Sequence, residues 1–308
     1  MKPVKDIHVS PSMHLNDLMA QYYESGGFTA KKLGVAAAIM RKMAGDKRCF
    51  KFFSFPACIV STGTRGVIRD LVKEKKFDAV ITTCGTLDHD LARVWEDYYH
   101  GEFNADDAKL RKQGINRLGN IFIPNSSYGE VLEKKLLPVL EKIYKKGARD
   151  IAPYELVWLI GEQLENEKRK EESIVYWAYK NKIPVFIPGI TDGSVGFQLH
   201  VFMQDHRDFR VDVFKDERKL EDIVFNNKIT GALMIGGGIS KHHVIWWNQF
   251  KDGLDYAVYI TTAEEYDGSL SGARLREAVS WGKVKPSAEY ITVEGDATIL
   301  LPLLAGSF

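Results

Sequence analysis

The feature that most constrains this chain is a series of continuous apolar runs, each of which ends in, or is followed by, glycine, serine, threonine or aspartate. The runs span 49–60, 78–85, 120–129, 182–194, 230–240 and 254–269. Unbroken stretches rich in Val, Ile, Leu and Tyr are typical of strands that helices cover on both faces. Segments with helical spacing separate them, as at 29–43, where Leu33, Ala36 and Met40 recur on one face. The alternation predicts an α/β fold, doubly wound and Rossmann-like, around a mainly parallel sheet.

The domain organisation follows from what the chain lacks. No proline- or serine-rich linker and no internal repeat interrupts its 308 residues. A chain of this length buries about three-quarters of the surface that its extended form exposes, so one large core is stable without disulfides or metals. We therefore predict a single domain over 1–308, in which 1–45 form a helical N-terminal extension and 46–308 form the α/β core.

Charge and cysteine content exclude several classes of protein. Lys and Arg number 42 against 41 Asp and Glu, and the net charge of +1 argues against bulk nucleic-acid binding. Three cysteines without a CxxC pair predict neither a disulfide framework nor a metal site. The N-terminus lacks the apolar core of a signal peptide, and GVAAAIM at 34–40 is too short to span a membrane. We expect a cytoplasmic protein that binds no nucleic acid, membrane or metal.

The ends of the predicted strands are candidate ligand positions, because doubly wound sheets bind ligands beyond the carboxyl ends of their strands. These ends carry small and polar clusters at 61–63, 82–85, 191–194, 236–238 and 261–263. Glycine lets a ligand approach the backbone, and helix N-termini present free amides to a pyrophosphate. Tight turns alone would require the same residues. Five clusters together favour a nucleotide, although neither G-x-G-x-x-G nor G-x-x-x-x-G-K-[ST] is present.

A polar loop at 267–274 leads into 275–283, a segment with a chemical pattern of its own. Helical spacing places Glu277 and Trp281 on one face, and Lys283 follows a glycine beside the tryptophan. An aromatic neighbour that desolvates a lysine favours the neutral amine that imine chemistry requires. Glu277 would hold a cationic substrate nearby. The alternative is a surface lysine at a helix end, where its charge complements the helix dipole.

The glycine triplet at 236–238 is followed by Lys241, His242 and His243. Adjacent histidines point in different directions on a helix and make a poor metal pair. One of them is either an acid or base near physiological pH or a polar residue at a helix start. Trp246 is either a core aromatic or a wall for an alkyl-amine ligand.

Five segments spread over nearly the whole chain carry the motifs of one known enzyme family. The most specific is AVYITTAEEYDGSLSGARLREAVSWGKV at 257–284, with its D-G-S-x-S-G-A-R loop and S-W-G-K stretch. The others are GGGISKHH at 236–243, PVFIPGITDGSVG at 184–196, TTCGTLDHDLAR at 82–93 and SGGFTAKKL at 25–33. Together these segments resemble deoxyhypusine synthases, and SFPACIV at 54–60 resembles the archaeal type.

The resemblance implies a deoxyhypusine synthase-like NAD-binding fold and transfer of the 4-aminobutyl group of spermidine to one lysine of the initiation factor 5A precursor. In the family, NAD accepts a hydride from spermidine, and a lysine matching Lys283 captures the four-carbon unit as an imine while 1,3-diaminopropane leaves. The lysine of the factor then takes over the imine, which is reduced to deoxyhypusine. A lysine nucleophile divides one difficult transfer into easier steps. Family members are homotetramers.

The functional residues of the family carry over to matching positions of this chain. The resemblance implies that Lys283 and His242 are catalytic and that Gly268, Glu277 and Trp281 bind the amine substrate. It implies NAD contacts from Ser61, Thr83, Asp192, Gly236, Gly237, Thr262, Ala263 and Asp296.

Four positions depart from the eukaryotic pattern of the family. Phe197 and Leu270 stand where acids are found, His89 replaces a glutamate, and Trp246 replaces an asparagine. Without paired carboxylates a site discriminates less strongly among cations, so a related amine such as agmatine is an alternative donor. The alternative functions are a homospermidine synthase-like transfer to a small diamine, another aminoalkyl transfer, and a non-catalytic NAD-binding regulator.

Overall fold

The computed structural model describes all residues from Met1 to Phe308 and divides the chain into two units. The first unit consists of Met1–Pro56, Lys76–Ile81 and Lys219–Phe308, and the second of Ala57–Lys75 and Thr82–Arg218. None of the helices combines the length and the apolar composition that crossing a membrane requires.

The chain forms thirteen α-helices and eleven strands. The helices are α1 Leu15–Ser25, α2 Phe28–Gly45, α3 Thr64–Lys73, α4 Cys84–Trp95, α5 Asp107–Lys112, α6 Gly129–Lys145, α7 Pro153–Gln163, α8 Ile174–Asn181, α9 Ser194–Asp205, α10 Val213–Asn226, α11 Ile239–Asn248, α12 Leu275–Ser280 and α13 Ala297–Ala305. The strands are β1 Cys49–Ser54, β2 Ala79–Ile81, β3 Tyr99–His100, β4 Ile115–Leu118, β5 Ile121–Pro124, β6 Asp150–Ile151, β7 Val185–Phe186, β8 Arg210–Val211, β9 Ile229–Ile235, β10 Leu254–Thr261 and β11 Val284–Glu294.

Five strands of the parallel main sheet lie in the first unit, in the order β11-β10-β9-β1-β2. Its register places Phe53 of β1 beside Leu233 of β9 and beside Val80 of β2. Every residue of β9 after Ile229 is buried, which for an unbroken apolar run requires cover on both faces. Helices α2, α11 and α13 pack against the strands of this unit. The predicted α/β fold with a parallel sheet is confirmed.

The carboxyl ends of β9, β10 and β11 lie at one edge of the main sheet and lead into three polar connections. A glycine turn at 236–238 follows β9, a loop at 262–274 follows β10, and a short turn joins β11 to α13. Gly236 and Gly238 have φ angles of +62° and +73°, which residues with a side chain rarely adopt. Helices α11 and α12 begin where the first two connections end, at the edge where doubly wound sheets bind ligands.

The second unit is mainly helical and contains two small sheets. Strands β3, β5 and β4 form an antiparallel sheet in that order, and β6 pairs with β8 in parallel. Helix α4 packs against α6, α8 and α9. Two buried aspartates of α4, Asp88 and Asp90, accept hydrogen bonds from the first amides of α9 and α8 respectively. These two side chains therefore fix where both helices begin.

The prediction from sequence is wrong in detail at three segments. The stretch HDLARVWEDYY at 89–99 predicts a helix with Asp88 ahead of it, whereas α4 begins at Cys84 and contains Asp88. The run at 182–194 contributes only the two-residue strand β7, because Pro188 has no amide to continue a ladder. The charged stretch at 162–172 predicts a helical face, whereas α7 ends at Gln163 and the two 3-10 turns Leu164–Asn166 and Lys170–Glu172 follow it. The single domain over 1–308 with its extension at 1–45 stays a prediction.

Candidate active site

A cavity of about 330 Å³ lies beside the carboxyl edge of the sheet, within the first unit. Helix α11, the loop at 262–274 and the end of α12 form its walls. The lining residues are Lys241, His242, Ile245, Trp246, Leu270, Ala273, Arg274, Glu277, Ala278, Trp281 and Lys283. Both residues predicted to be catalytic are among them, and so are two of the three predicted to bind the amine; Gly268 is not.

Lys283 follows α12 with a fixed main chain. Its amide donates to the carbonyl of Ala278 at 2.9 Å, and its own carbonyl accepts from the amide of Leu254 at 3.1 Å. Only 8% of the residue is exposed. Its Nζ lies 5.2 Å from the ring centroid of Trp281 and 5.8 Å from that of Trp246, and it forms no hydrogen bond or ion pair within the chain. The amine therefore faces aromatic rings across an open cavity.

Glu277 and Trp281 lie on the α12 side of the cavity. Glu277 is in the first turn of the helix and is the one acidic residue of the lining. Trp281 follows the last helical residue and is 65% exposed. The lining also contains the basic side chains of Lys241, Arg274 and Lys283. A bound cation would therefore meet a single carboxylate and three basic side chains.

His242 lies on the α11 wall of the cavity, where its ring stacks on that of Trp246 with centroids 5.7 Å apart. Burial lowers the pKa of His242, and the charges of Lys283 and Lys241 lower it further. A neutral imidazole can accept a proton at neutral pH. The neighbouring His243 does not line the cavity, so the structure distinguishes between the two histidines.

Lys241, on the same wall, lines the cavity, although the sequence alone assigns it no role. It is 2% exposed, and its Nζ donates to the carbonyls of Leu270 at 2.8 Å and Ala273 at 2.6 Å. The same nitrogen lies 3.9 Å from the ring centroid of Tyr259. Burial lowers the pKa of Lys241 to about 8. Nothing in the run Lys-His-His distinguishes this lysine from a solvated one.

The loop at 262–274 is held against the cavity through its carbonyl groups. The carbonyl of Ser271 accepts from the Tyr259 hydroxyl at 2.6 Å and from Thr261 Oγ1 at 3.1 Å. The carbonyl of Gly272 accepts from the Arg274 guanidinium at 3.0 Å. With the two bonds from the buried lysine of α11, all four carbonyls from 270 to 273 have side-chain donors. This wall of the cavity is therefore rigidly placed.

The glycine turn after β9 has one packed side and one open side. A Cβ at Gly237 would lie 2.2 Å from Ser271, so the loop that packs there requires a glycine. Gly238 precedes α11, a Cβ there would meet open space, and no side chain caps the helix. The Oγ of Ser240, in the first turn, is buried without a hydrogen-bond partner. Free first-turn amides and an unpartnered hydroxyl are groups that a phosphate would satisfy.

The other cofactor residues predicted in the first unit follow β10 and β11. Thr262 is exposed, and the carbonyl of Ala263 accepts from the guanidinium of Arg274 at 3.0 Å. Asp296 caps α13, because its Oδ1 accepts from the amide of Thr298 at 2.8 Å. Like the glycine turn, these residues lie at the carboxyl edge, and none of them lines the cavity that contains the lysines.

Three predicted cofactor residues belong to the second unit. Ser61 ends a 3-10 turn and donates through Oγ to the carbonyl of Cys58 at 2.7 Å. Thr83 is the N-cap residue of α4, and its Oγ1 accepts from the amide of Ala57, at the start of that turn, at 3.2 Å. Asp192 is exposed and lies two residues ahead of α9. The segments of Ser61 and Thr83 are thus bonded directly to each other.

The four positions that depart from the eukaryotic pattern have different surroundings. Leu270 and Trp246 line the cavity. His89 is half-buried, its Nδ1 lies 3.0 Å from the hydroxyl of Tyr98, and loss of solvent around the ring lowers the pKa of His89 to about 4. Phe197 is 59% exposed on α9. The described cavity therefore has apolar walls at two of the four altered positions.

The cysteines and potential metal ligands form no further site. All three cysteines are free, and burial raises the pKa of the Cys84 thiol to about 12, which removes it as a nucleophile at neutral pH. No group of three or more His, Cys, Asp or Glu side chains is arranged to hold a metal ion.

Comparisons with known sequences identify relatives over the whole chain. A family model described as deoxyhypusine synthase matches residues 17–308. A protein of Picrophilus torridus is 55% identical over 307 residues, which cover 100% of this chain and 97% of that protein. One of Thermoplasma acidophilum is 53% identical with the same coverage. Both carry the name "Probable deoxyhypusine synthase".

Comparisons with solved structures show the fold. The crystal structure of an Entamoeba histolytica protein described as a deoxyhypusine synthase matches with a TM-score of 0.65 and 22% identity, over 99% of this chain and 96% of that chain. The complex of AgrE with ornithine and NAD+ matches with a TM-score of 0.51 and 14% identity, over 90% of this chain and 32% of that chain. At such identities the likeness is one of architecture.

Proposed function

Because this chain belongs to the deoxyhypusine synthase family, we propose that it transfers the 4-aminobutyl group of spermidine to one lysine of the initiation factor 5A precursor in an NAD-dependent reaction. The chain is a transferase, as the members of this family are. The observation that carries the finer proposal is the Lys283 amine, which is buried in a cavity, faces two tryptophan rings and has no hydrogen bond.

Lys283 is the proposed nucleophile. Its neutral Nζ attacks the carbon of the oxidised donor, a C=N bond to Nζ forms, the bond to the departing nitrogen breaks, and 1,3-diaminopropane leaves with a proton. The amine of the factor's lysine then attacks the same carbon and releases Nζ. Each exchange replaces one C=N bond by another, so no step has to displace an unactivated alkyl amine.

The remaining residues of the cavity hold the substrate and a proton. His242, whose lowered pKa keeps it neutral, is the proposed acceptor of the proton that the attacking amine loses. Glu277 would bind the free ammonium end of the donor, and Trp281 would cover its alkyl chain. Gly268, in the loop after β10, has a φ of +75° and open space around its Cβ position, which supports a close backbone approach by the amine.

NAD is the proposed cofactor, and it supplies a hydride acceptor at the start of the transfer and a hydride donor at its end. In the first unit Gly236, Gly237, Thr262, Ala263 and Asp296 would hold it, and in the second unit Ser61, Thr83 and Asp192. The uncapped N-terminus of α11 and the unpartnered hydroxyl of Ser240 support a phosphate at the glycine turn.

We extend the proposal to the assembly and location of the protein. The family resemblance supports a cytoplasmic homotetramer in which each chain is one domain over 1–308. The molar mass in solution, measured by light scattering, tests the tetramer directly. A mass of one 34.9 kDa chain would contradict it.

Incubation of the purified chain with NAD, labelled spermidine and the factor precursor tests the function. We expect label on a single lysine of the factor, and no label with Lys283→Ala, which still binds NAD. Lys285→Ala is the matched control, because Lys285 lies two residues further on and forms an ion pair with Asp255 at 2.6 Å outside the cavity. Undiminished labelling with Lys283→Ala would contradict the mechanism.

A different donor or acceptor is the second candidate, and the charge of the cavity favours it. One carboxylate lines the cavity against three bases, and Leu270 and Trp246 are apolar where the eukaryotic pattern is polar. Such a lining suits an amine with fewer charges than spermidine, or a small diamine as the acceptor, as in homospermidine synthases.

Competition distinguishes the two candidates. The chain is incubated with NAD and equal concentrations of spermidine and agmatine, with either the factor precursor or putrescine as the acceptor. Preferential transfer from spermidine to the factor supports the first proposal. Preferential use of agmatine or formation of homospermidine would replace it with the second.

A further inference from the structure

We propose that Asp88 is a positioning residue for cofactor binding by the second unit, because it fixes Asp192 relative to Thr83. The inference rests on the proposed function, since it takes Thr83 and Asp192 as contacts of NAD. It concerns a buried side chain within α4 that the proposed chemistry does not use.

Asp88 binds the N-terminus of α9 although the two are far apart in sequence. The residue is 1% exposed, its Oδ1 accepts from the amide of Val195 at 2.7 Å, and its Oδ2 accepts from the amide of Ser194 at 2.9 Å. The Tyr128 hydroxyl donates to Oδ2 at 2.8 Å. The residue before α9 is Gly193, which has no side chain to cap the helix. Asp88 therefore supplies the cap that the local sequence lacks.

The turn that contains Asp192 rests directly on α4. A Cβ at Gly193 would lie 2.7 Å from Asp88 Oδ2 and 2.8 Å from Cys84 Sγ. Cys84 and Asp88 lie one helical turn apart on α4, and both side chains lie against Gly193 just before the first turn of α9. The backbone on either side of Gly193 has no freedom to move towards α4, and Asp192 is exposed just before it.

The other cofactor segments of this unit meet the same turn of α4. Thr83 is its N-cap residue and accepts from the amide of Ala57. A Cβ at Gly85 would lie 2.9 Å from the Cβ of Ala57, so the 3-10 turn that ends at Ser61 also packs on α4. The first turn and a half of α4 thus joins all three proposed cofactor residues of the second unit, and Asp88 provides the connection to Asp192.

Asp90 provides a matched comparison on the same helix. It is fully buried and accepts from the amides of Ile174 and Val175 and from the hydroxyl of Ser173, at 3.0, 2.9 and 2.7 Å. It also forms an ion pair with Arg65. Asp90 caps α8, which carries none of the proposed cofactor residues. Two aspartates with the same structural task therefore differ in whether the helix they cap adjoins the proposed cofactor site.

Calorimetric titration of NAD into the full-length chain tests the inference. Asp88→Asn places an amide group among three donors and should weaken NAD binding about tenfold, the loss expected for one helix cap. The kcat at saturating NAD should stay within about threefold of wild type, because the lysine cavity is unchanged. Tyr128→Phe removes one donor and should weaken binding by about two- to threefold. Asp90→Asn should lower the melting temperature at least as much as Asp88→Asn and leave NAD affinity unchanged.

The outcomes separate this inference from the function on which it rests. Equal weakening of NAD binding by Asp88→Asn and Asp90→Asn would overturn it, because Asp88 would then act through stability alone. Unchanged NAD binding by Asp88→Asn would also overturn it. If Asp88→Asn does not fold, the effect of Tyr128→Phe on NAD binding decides the question. If the wild-type chain binds no NAD, the proposed function fails first and the inference fails with it.

Discussion

Two walls of one cavity each contribute a buried lysine, and the two amines have opposite surroundings. On the α11 wall, the Nζ of Lys241 is bonded to two loop carbonyls at 2.8 and 2.6 Å. At the end of α12, the Nζ of Lys283 faces two tryptophan rings at 5.2 and 5.8 Å and forms no hydrogen bond. Since the side chains are chemically the same, the comparison isolates the effect of their environments.

These surroundings indicate which lysine is available for chemistry. An amine whose protons are directed at buried carbonyls is fixed in place, and moving it would leave those carbonyls unsatisfied, at about 1–3 kcal/mol each. An amine that faces aromatic rings and has no hydrogen-bond partner leaves no polar group unsatisfied when it moves, so it can reach a substrate carbon. The comparison therefore makes Lys241 the support of the loop and favours Lys283 as the nucleophile.

The largest expected effect belongs to Lys283→Arg. The guanidinium keeps a positive charge beside Trp246 and Trp281, but it stays protonated and cannot attack carbon. Transfer should fall by at least roughly a thousandfold, as when a covalent nucleophile is removed. Steady-state assays of factor labelling measure this, with Lys285→Arg as the control. If Lys283→Arg retained a tenth of the transfer activity, a positive charge at this position would be sufficient for transfer.

The second prediction concerns the pH dependence that Lys241 gives to stability. An unfolded lysine binds its proton up to pH 10.5, whereas folded Lys241 does so only up to about 8. Between these values the unfolded state holds more protons, so the folded state gains stability as the pH rises. Relative to Lys241→Met, the free energy of unfolding should rise by up to about 3 kcal/mol over this window. Urea titrations at several pH values measure the difference; a difference that does not change with pH would contradict the prediction.

The third prediction is kinetic. Lys241→Met keeps the stem of the side chain against Tyr259 but leaves the carbonyls of Leu270 and Ala273 without their donor. The wall should loosen and kcat/KM for the amine should fall about tenfold, while the covalent step remains at Lys283. Lys251→Met is the control, because Lys251 is bonded to the carbonyl of Lys228 outside the cavity. Complete loss of turnover with Lys241→Met would mean that this amine takes part in the chemistry.

The smallest expected effect is that of Trp281→Leu. The ring is 65% exposed, so its loss should change stability by less than about 0.5 kcal/mol. Losing one ring contact should raise KM for the amine about two- to fivefold. Trp177→Leu is a matched control, since Trp177 covers Lys73 in the second unit at 4.6 Å. An effect of a hundredfold would show that the ring does more than cover the amine.

Secondary structure could be predicted from the sequence wherever the pattern of apolar residues determines whether a segment is a helix or a strand. β9 is an apolar run that the sheet buries, the last five residues of β10 are buried in the same way, and α2 has a single apolar face. β11 was not predicted, because it lies at the edge of the sheet and most of its eleven residues are exposed or half-buried, with charged and polar side chains among the apolar ones. Edge strands satisfy one ladder only, so their sequences are less constrained than those of central strands.

The candidate site could be predicted only in part. Lys283 and Glu277 lie in a compact motif, and the structure brings both into the cavity with His242. The role of Lys241 depends on carbonyls 29 and 32 residues further along the chain, and backbone carbonyls leave no mark on sequence. Asp88 likewise acts on amides 106 and 107 residues away. Side chains that stabilise a site by binding main-chain groups can be recognised only in the folded structure.

Borohydride trapping shows which lysine bonds covalently to the amine. The chain is incubated with NAD and each candidate amine, reduced, digested, and mapped by mass spectrometry. We expect an aminoalkyl adduct on the peptide that contains Lys283, with Lys241 unmodified in the same sample. An adduct on Lys241, or labelling of the factor without any adduct on Lys283, would contradict it.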